Sequence, residues 1–99
     1  TRRLDIVFGI SYGDDQEKAK QIILNTVKNH SMSLNEPDEP FARVTGFGDS
    51  AVEITLRVWC KRENYWQLKF DLLEQIKAQF DKNGISIPYN QVDVHIKEK

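Results

Sequence analysis

The chain has 99 residues, enough for one domain with a single modest core and too few for two. Fourteen Lys+Arg against fifteen Asp+Glu leave a net charge of −1, which argues against a general nucleic-acid binder, whose footprint is a basic excess. A single cysteine excludes an internal disulfide framework and every cysteine-cluster zinc site, and charges interrupt each apolar run before it could span a bilayer as a helix.

Residues 4–10 place Leu4, Ile6, Phe8 and Ile10 on one face at period two, the pattern of a strand. Tyr12 to Asp15 breaks it. Asp14 with Glu17 three residues later resembles a capping box, and a helix is expected over 15–30 with Ala19, Ile22, Ile23, Thr26, Val27 and His30 at helical spacing. Two prolines and three acids make 31–40 a loop. A second strand is predicted over 41–47, turned at Gly48-Asp49-Ser50 into a third. In that third strand Val52, Ile54, Leu56, Val58 and Cys60 alternate with Glu53, Thr55, Arg57, Trp59 and Lys61.

Asn64 is the candidate N-cap of a second helix over 65–83. Its apolar stripe reads as Trp66, Phe70, Leu73, Ile76 and Phe80, flanked by Tyr65 and Leu72, with Lys69 snorkelling from within it. Gly84 suits the left-handed position after a helix. Val92, Val94 and Ile96 alternate with Asp93, His95 and Lys97, so a last strand closes the chain. The order βαββαβ defines an α+β, ferredoxin-like sandwich with both helices on one face of the sheet. The expected core is Leu4, Ile6, Phe8, Ile22, Ile23, Val27, Val52, Ile54, Leu56, Val58, Leu73, Ile76 and Phe80.

Candidate chemistry is sparse. The third strand lacks the aromatics that an RNA-recognition domain stacks on bases. Cys60 falls on the apolar face and reads as a small buried hydrophobe. His30 and His95 lie far apart, and His30 reads as a cation near the carbonyls ending the first helix. Capping accounts for Asp14 and Asp15, and the acids of 36–39 read as a solvated loop. The glycines match no phosphate-binding spacing. No catalytic, cofactor-binding or metal residue is assigned, and no cofactor is expected.

A set of segments carries a resemblance. Arg3-Leu4-Asp5, then Gly9-Ile10-Ser11-Tyr12 with Asp15, Phe47-Gly48-Asp49-Ser50-Ala51-Val52, Arg57-Val58-Trp59, Tyr65-Trp66 and the stretch Gly84 to Val94 follow one another along nearly the whole chain. In that order they resemble the C-terminal cytoplasmic domain of the small-conductance mechanosensitive channel (MscS-like) family. Asn90 stands where the family pattern has a second proline, which softens the link after Tyr89.

The resemblance implies a homo-heptameric inner-membrane channel, opened by membrane tension, that releases ions and small osmolytes during hypo-osmotic shock. This chain would be part of its cytoplasmic cage, beginning at Thr1 as a piece of something longer whose membrane helices lie upstream. It divides the chain into a domain over 1–90 and a tail over 91–99, and sends the tail into a parallel barrel built from one strand per subunit, where periodicity alone makes it the fourth strand of the sandwich. Trp59, on the polar side of the sheet, Tyr89, Val92, Val94 and Ile96 are the candidate subunit contacts. The only partner expected is the chain itself, with no nucleic acid. Two other classes stay open: a small-molecule-binding regulatory module of the same order, which would show a loop-lined pocket, and an enzyme, for which spacing supplies no constellation.

Overall fold

The computed structural model describes residues 1–88. Strand β1 spans Arg2–Ile10, helix α1 Gln16–Lys28, β2 Phe41–Phe47, β3 Val52–Cys60 and helix α2 Tyr65–Lys82, the last preceded by a single 3₁₀ turn, Arg62–Asn64. The described strands form one antiparallel sheet in the order β1-β3-β2. The expected last strand over 92–96 lies outside the described residues.

Strict alternation in β3 sets the register. Leu4 pairs with Val58, Ile6 with Leu56, Phe8 with Ile54 and Ile10 with Val52. All of these side chains are buried on one face, because a period of two sends every second residue to the same side. Helix α1 lies over β2 and β3, and α2 over β1. α1 buries Ala19, Ile23 and Val27, and α2 buries Leu68, Leu72, Ile76 and Phe80. Phe80 meets the Phe8 ring edge-on, with centroids 6.0 Å apart. The result is a mixed α/β domain, two helices on one face of an antiparallel sheet.

Two helix details depart from the sequence reading. The cap of α1 is Asp15, whose carboxylate accepts the Lys18 N–H at 3.1 Å. Asp14 instead accepts the Ser86 N–H at 2.6 Å, so its partner comes from the far end of the chain. The buried stripe of α2 is turned roughly 80° from the expected one at ~100° per residue. Leu68 and Leu72 are fully buried, while Trp66, Phe70 and Leu73 are 57%, 54% and 37% exposed. Both stripes contain Ile76 and Phe80, and the large aromatics of the first turns drew the reading to the wrong one. Ile22, also expected in the core, is only partly buried beside it. Ile10, Ala19, Ala42, Cys60 and Ile85 complete the core.

The register of β2 shifts between Val44 and Gly46. The extra residue of this bulge, Thr45, turns its hydroxyl to that of Thr55 at 2.7 Å. After α2, Gly84 takes φ +74°, a left-handed conformation that costs a residue with Cβ. It lets the Ile85 N–H reach back to the Phe80 carbonyl at 2.9 Å and drops Ile85 into the core.

Candidate functional site: the two ends of the sheet and its open face

The segments that stood out in the sequence come together in two groups, one at each end of β1. At the end where β1 starts, Arg3 pairs with Trp59 across the ladder. Asp5 receives the Arg57 guanidinium twice, at 3.0 and 3.3 Å, and Arg3 lies 3.4 Å from the same carboxylate. The Arg57 guanidinium sits over the Phe41 ring at 5.1 Å, and that of Arg2 over the Tyr65 ring at 3.7 Å. A charge held in a fork over an aromatic face is the geometry in which arginine is least replaceable by lysine.

At the other end, the Tyr12 hydroxyl donates to the Gly48 carbonyl, tying the exit of β1 to the β2–β3 hairpin. The Ser11 N–H donates to the Ser86 carbonyl at 3.0 Å, and the Asp14–Ser86 bond closes the group. Three segments distant in sequence are thus fastened at one place. Phe47, 71% exposed, and Tyr12 present apolar surface there.

Trp59 lies at the first of these ends, against the 31–40 loop. It is half-buried. The Leu34 N–H donates to its carbonyl at 2.9 Å. Its indole Nε1 is buried and has no hydrogen-bond partner among the described residues. Tyr89, Val92, Val94 and Ile96, the other expected contacts, lie outside the described residues, as does His95.

The His30 ring is not turned to the carbonyls that end α1, the partners that the sequence suggested. Its Nδ1 accepts the Met32 N–H at 3.1 Å, and its Nε2 is 2.8 Å from the Asp71 carboxylate. With Nδ1 accepting, Nε2 is the nitrogen that donates to Asp71. That bond, joined by one from Gln67 at 2.8 Å, holds the Asp71 carboxyl below the usual carboxylate range. The pair fastens the end of α1 to α2. Spacing gave no signal of it, because the two residues are 41 apart.

Cys60 is fully buried with its thiol toward the Arg2 carbonyl at 3.7 Å. Burial pushes the thiol up from its ordinary value, as expected of a packing residue. Among the described residues no group of three His, Cys, Asp or Glu could hold a metal ion, and no helix is long and apolar enough to cross a membrane.

On its small antiparallel α/β frame the domain presents forked charges on an open sheet face and exposed aromatics at the hairpin and on α2. Residues 4–87 match the family described as Mechanosensitive ion channel MscS, C-terminal, and the chain belongs to that family. An MscS family protein of Archaeoglobus fulgidus is 42% identical over 90 residues, 91% of this chain and 31% of the relative. A small-conductance mechanosensitive channel of Edwardsiella ictaluri is 34% identical over 95 residues, 96% of this chain and 33% of its own length. The crystal structure of Helicobacter pylori MscS in its closed state superposes with a TM-score of 0.81 at 33% identity, covering 99% of this chain and 39% of that one. The chain therefore spans about a third of the length of these relatives.

Proposed function

We propose that this chain is the cage domain, on the cytoplasmic side, of a mechanosensitive channel in the inner membrane. In this reading membrane tension opens a pore formed elsewhere in the protein, and ions and small osmolytes escape during hypo-osmotic shock. The domain's part is to hold seven subunits together and to shape the vestibule that solutes cross. The observation that carries the reading is the family match over 4–87, strengthened by the likeness to Helicobacter pylori MscS along 99% of the chain. Residues 1–90 form the domain proper, with a ferredoxin-like order, and 91–99 the tail that pairs between subunits. Trp59, Tyr89, Val92, Val94 and Ile96 are the contacts. A ring of more than two subunits needs two different patches on each chain, and the open sheet face and the exposed aromatics of α2 lie on opposite layers of this domain.

The test has two arms. Patch recording of the full-length protein should show a tension-gated conductance, and cells lacking other such channels should survive osmotic downshock when they carry it. Native mass measurement of the full-length protein should give seven subunits. A full-length protein that conducts nothing under tension would overturn the channel reading, and a stable monomer would overturn the assembly.

A further inference from the structure

Between α1 and α2 runs an open groove of about 700 Å³. Its walls are carboxamides. Asn25 and Asn29 stand one turn apart on α1, and Gln75 and Gln79 one turn apart on α2, the i, i+4 spacing that puts both members of a pair on one face. The helices run antiparallel, since Lys18 near the start of α1 reaches the Asn83 carbonyl past the end of α2, while His30 past the end of α1 meets Asp71. The two pairs therefore face one another. None of these four side chains has a hydrogen-bond partner among the described residues, whereas nearby polar groups are satisfied: Thr26 on the Ile22 carbonyl, Asn83 on the Gln79 carbonyl, and His30 on Asp71 and Met32. Ala78, on the same wall, leaves the space open.

What lines the groove decides what it can hold. In a chain with 29% charged residues, its lining contains no Lys, Arg, Asp or Glu, and both ring nitrogens of His30 are taken, by Asp71 and by the Met32 N–H. The nearest charges lie outside the lining and each already has a partner, Lys18 on the Asn83 carbonyl at 3.1 Å and Asp71 on His30 at 2.8 Å, so a phosphate, a carboxylate or an amine finds no free counter-charge in the groove. No Phe, Tyr or Trp lines it, so it offers no broad platform for a flat ring, and its few apolar groups would not draw a lipid from water. A carboxamide presents a donor and an acceptor side by side, the complement of neighbouring hydroxyls, each of which also both donates and accepts.

We propose that the groove between α1 and α2 binds a neutral polyhydroxyl solute, a sugar or polyol, through the facing carboxamides of Asn25, Asn29, Gln75 and Gln79. The site is shallow and water competes for every bond in it, so binding is weak, with half-saturation of about 1–10 mM. It stands apart from the channel reading, because the chain alone contains the whole groove.

The test is a titration of the isotope-labelled chain with trehalose, following the side-chain amide resonances of the four carboxamides. The expected result is a saturable shift confined to them and to their neighbours on the groove. Ala78→Trp, which fills the groove from an exposed helix position, should abolish the shifts, and so should the double substitution Gln75→Ala, Gln79→Ala should the tryptophan disturb the fold. Shifts that rise linearly and spread over the whole surface, or that survive both variants, would overturn the proposal. An equal saturable response to potassium glutamate would overturn the assignment to neutral solutes. Failure on either count leaves the conductance test of the channel untouched.

Discussion

Leu72 and Leu73 are adjacent on α2 and chemically identical, yet the structure gives them opposite roles. Leu72 is fully buried and Leu73 is 37% exposed. Truncating Leu72 to alanine removes three carbons from the core, about 2.4 kcal/mol at ~0.8 per methylene. The cavity left behind brings the loss to about 3–4 kcal/mol, within the range measured for buried leucines. Truncating Leu73 opens no cavity, because water fills the space. Alanine's better helix propensity offsets part of the lost contact, leaving less than about 1 kcal/mol. In a domain of this size ~1 kcal/mol moves the melting temperature by about 4–8 °C, so Leu72→Ala should melt at least ~12 °C below the parent and Leu73→Ala within a few degrees of it. Urea titration by circular dichroism at low protein concentration reads both variants with the same slope, so that only the midpoint moves. If Leu73→Ala cost as much as Leu72→Ala, the stripe read from the sequence would be the true one and the packing of α2 described above would be wrong.

Asp71, held below the ordinary carboxylate range by His30 and Gln67, contributes stability that is fully present above its unfolded value. It loses that contribution as pH falls through the lower folded value, so the urea midpoint of the parent should fall below about pH 3.8 more steeply than that of Asp71→Asn. Asp15→Ala removes the cap of α1 and should cost about 0.5–2 kcal/mol, most of it recovered by Asp15→Ser, as read from the same urea curves. Gly84→Ala places a side chain at φ +74° with no atom within 4 Å of its Cβ. Its cost of about 1 kcal/mol is then strain alone, and Gly84→Asn should be milder. Cys60, buried with a raised thiol, should react with a disulfide reagent only at the rate at which the domain unfolds, so a fast reaction in the native protein would contradict its place in the core.

The sheet was legible because its signal is redundant. Nine alternating positions in β3 and the matching ones in β1 specify one face twice over, and a one-residue slip would expose the whole set. The limits of β2 and β3 follow the sequence reading for the same reason. α2 was harder, since eight large apolar or aromatic side chains cover more than one arc and two stripes share their last members. What chose between them is tertiary: Leu68 and Leu72 face β1, and Trp66 and Phe70 do not. The Asp14–Ser86 and His30–Asp71 contacts join residues 72 and 41 apart, and no local pattern announces such a pair. Of the expected contact residues, Trp59 was placed on the correct side of the sheet from alternation alone. Its tie to Leu34 comes from a loop whose composition says only that it is not a helix or a strand.

The first strand residue and the last stretch of the described domain lie at opposite ends of one strand. Arg2 opens β1 beside Cys60, and Ser86 is fastened to Ser11 just past its far end. Nine residues at ~3.3 Å each set the two points about 30 Å apart. A pull between those points runs parallel to β1 and falls first on the bonds that fasten Ser86, from the Ser11 N–H to its carbonyl and from its own N–H to Asp14, while the ladder with β3 lies along the force and not across it. The same fold with both points at one end would peel open one bond at a time.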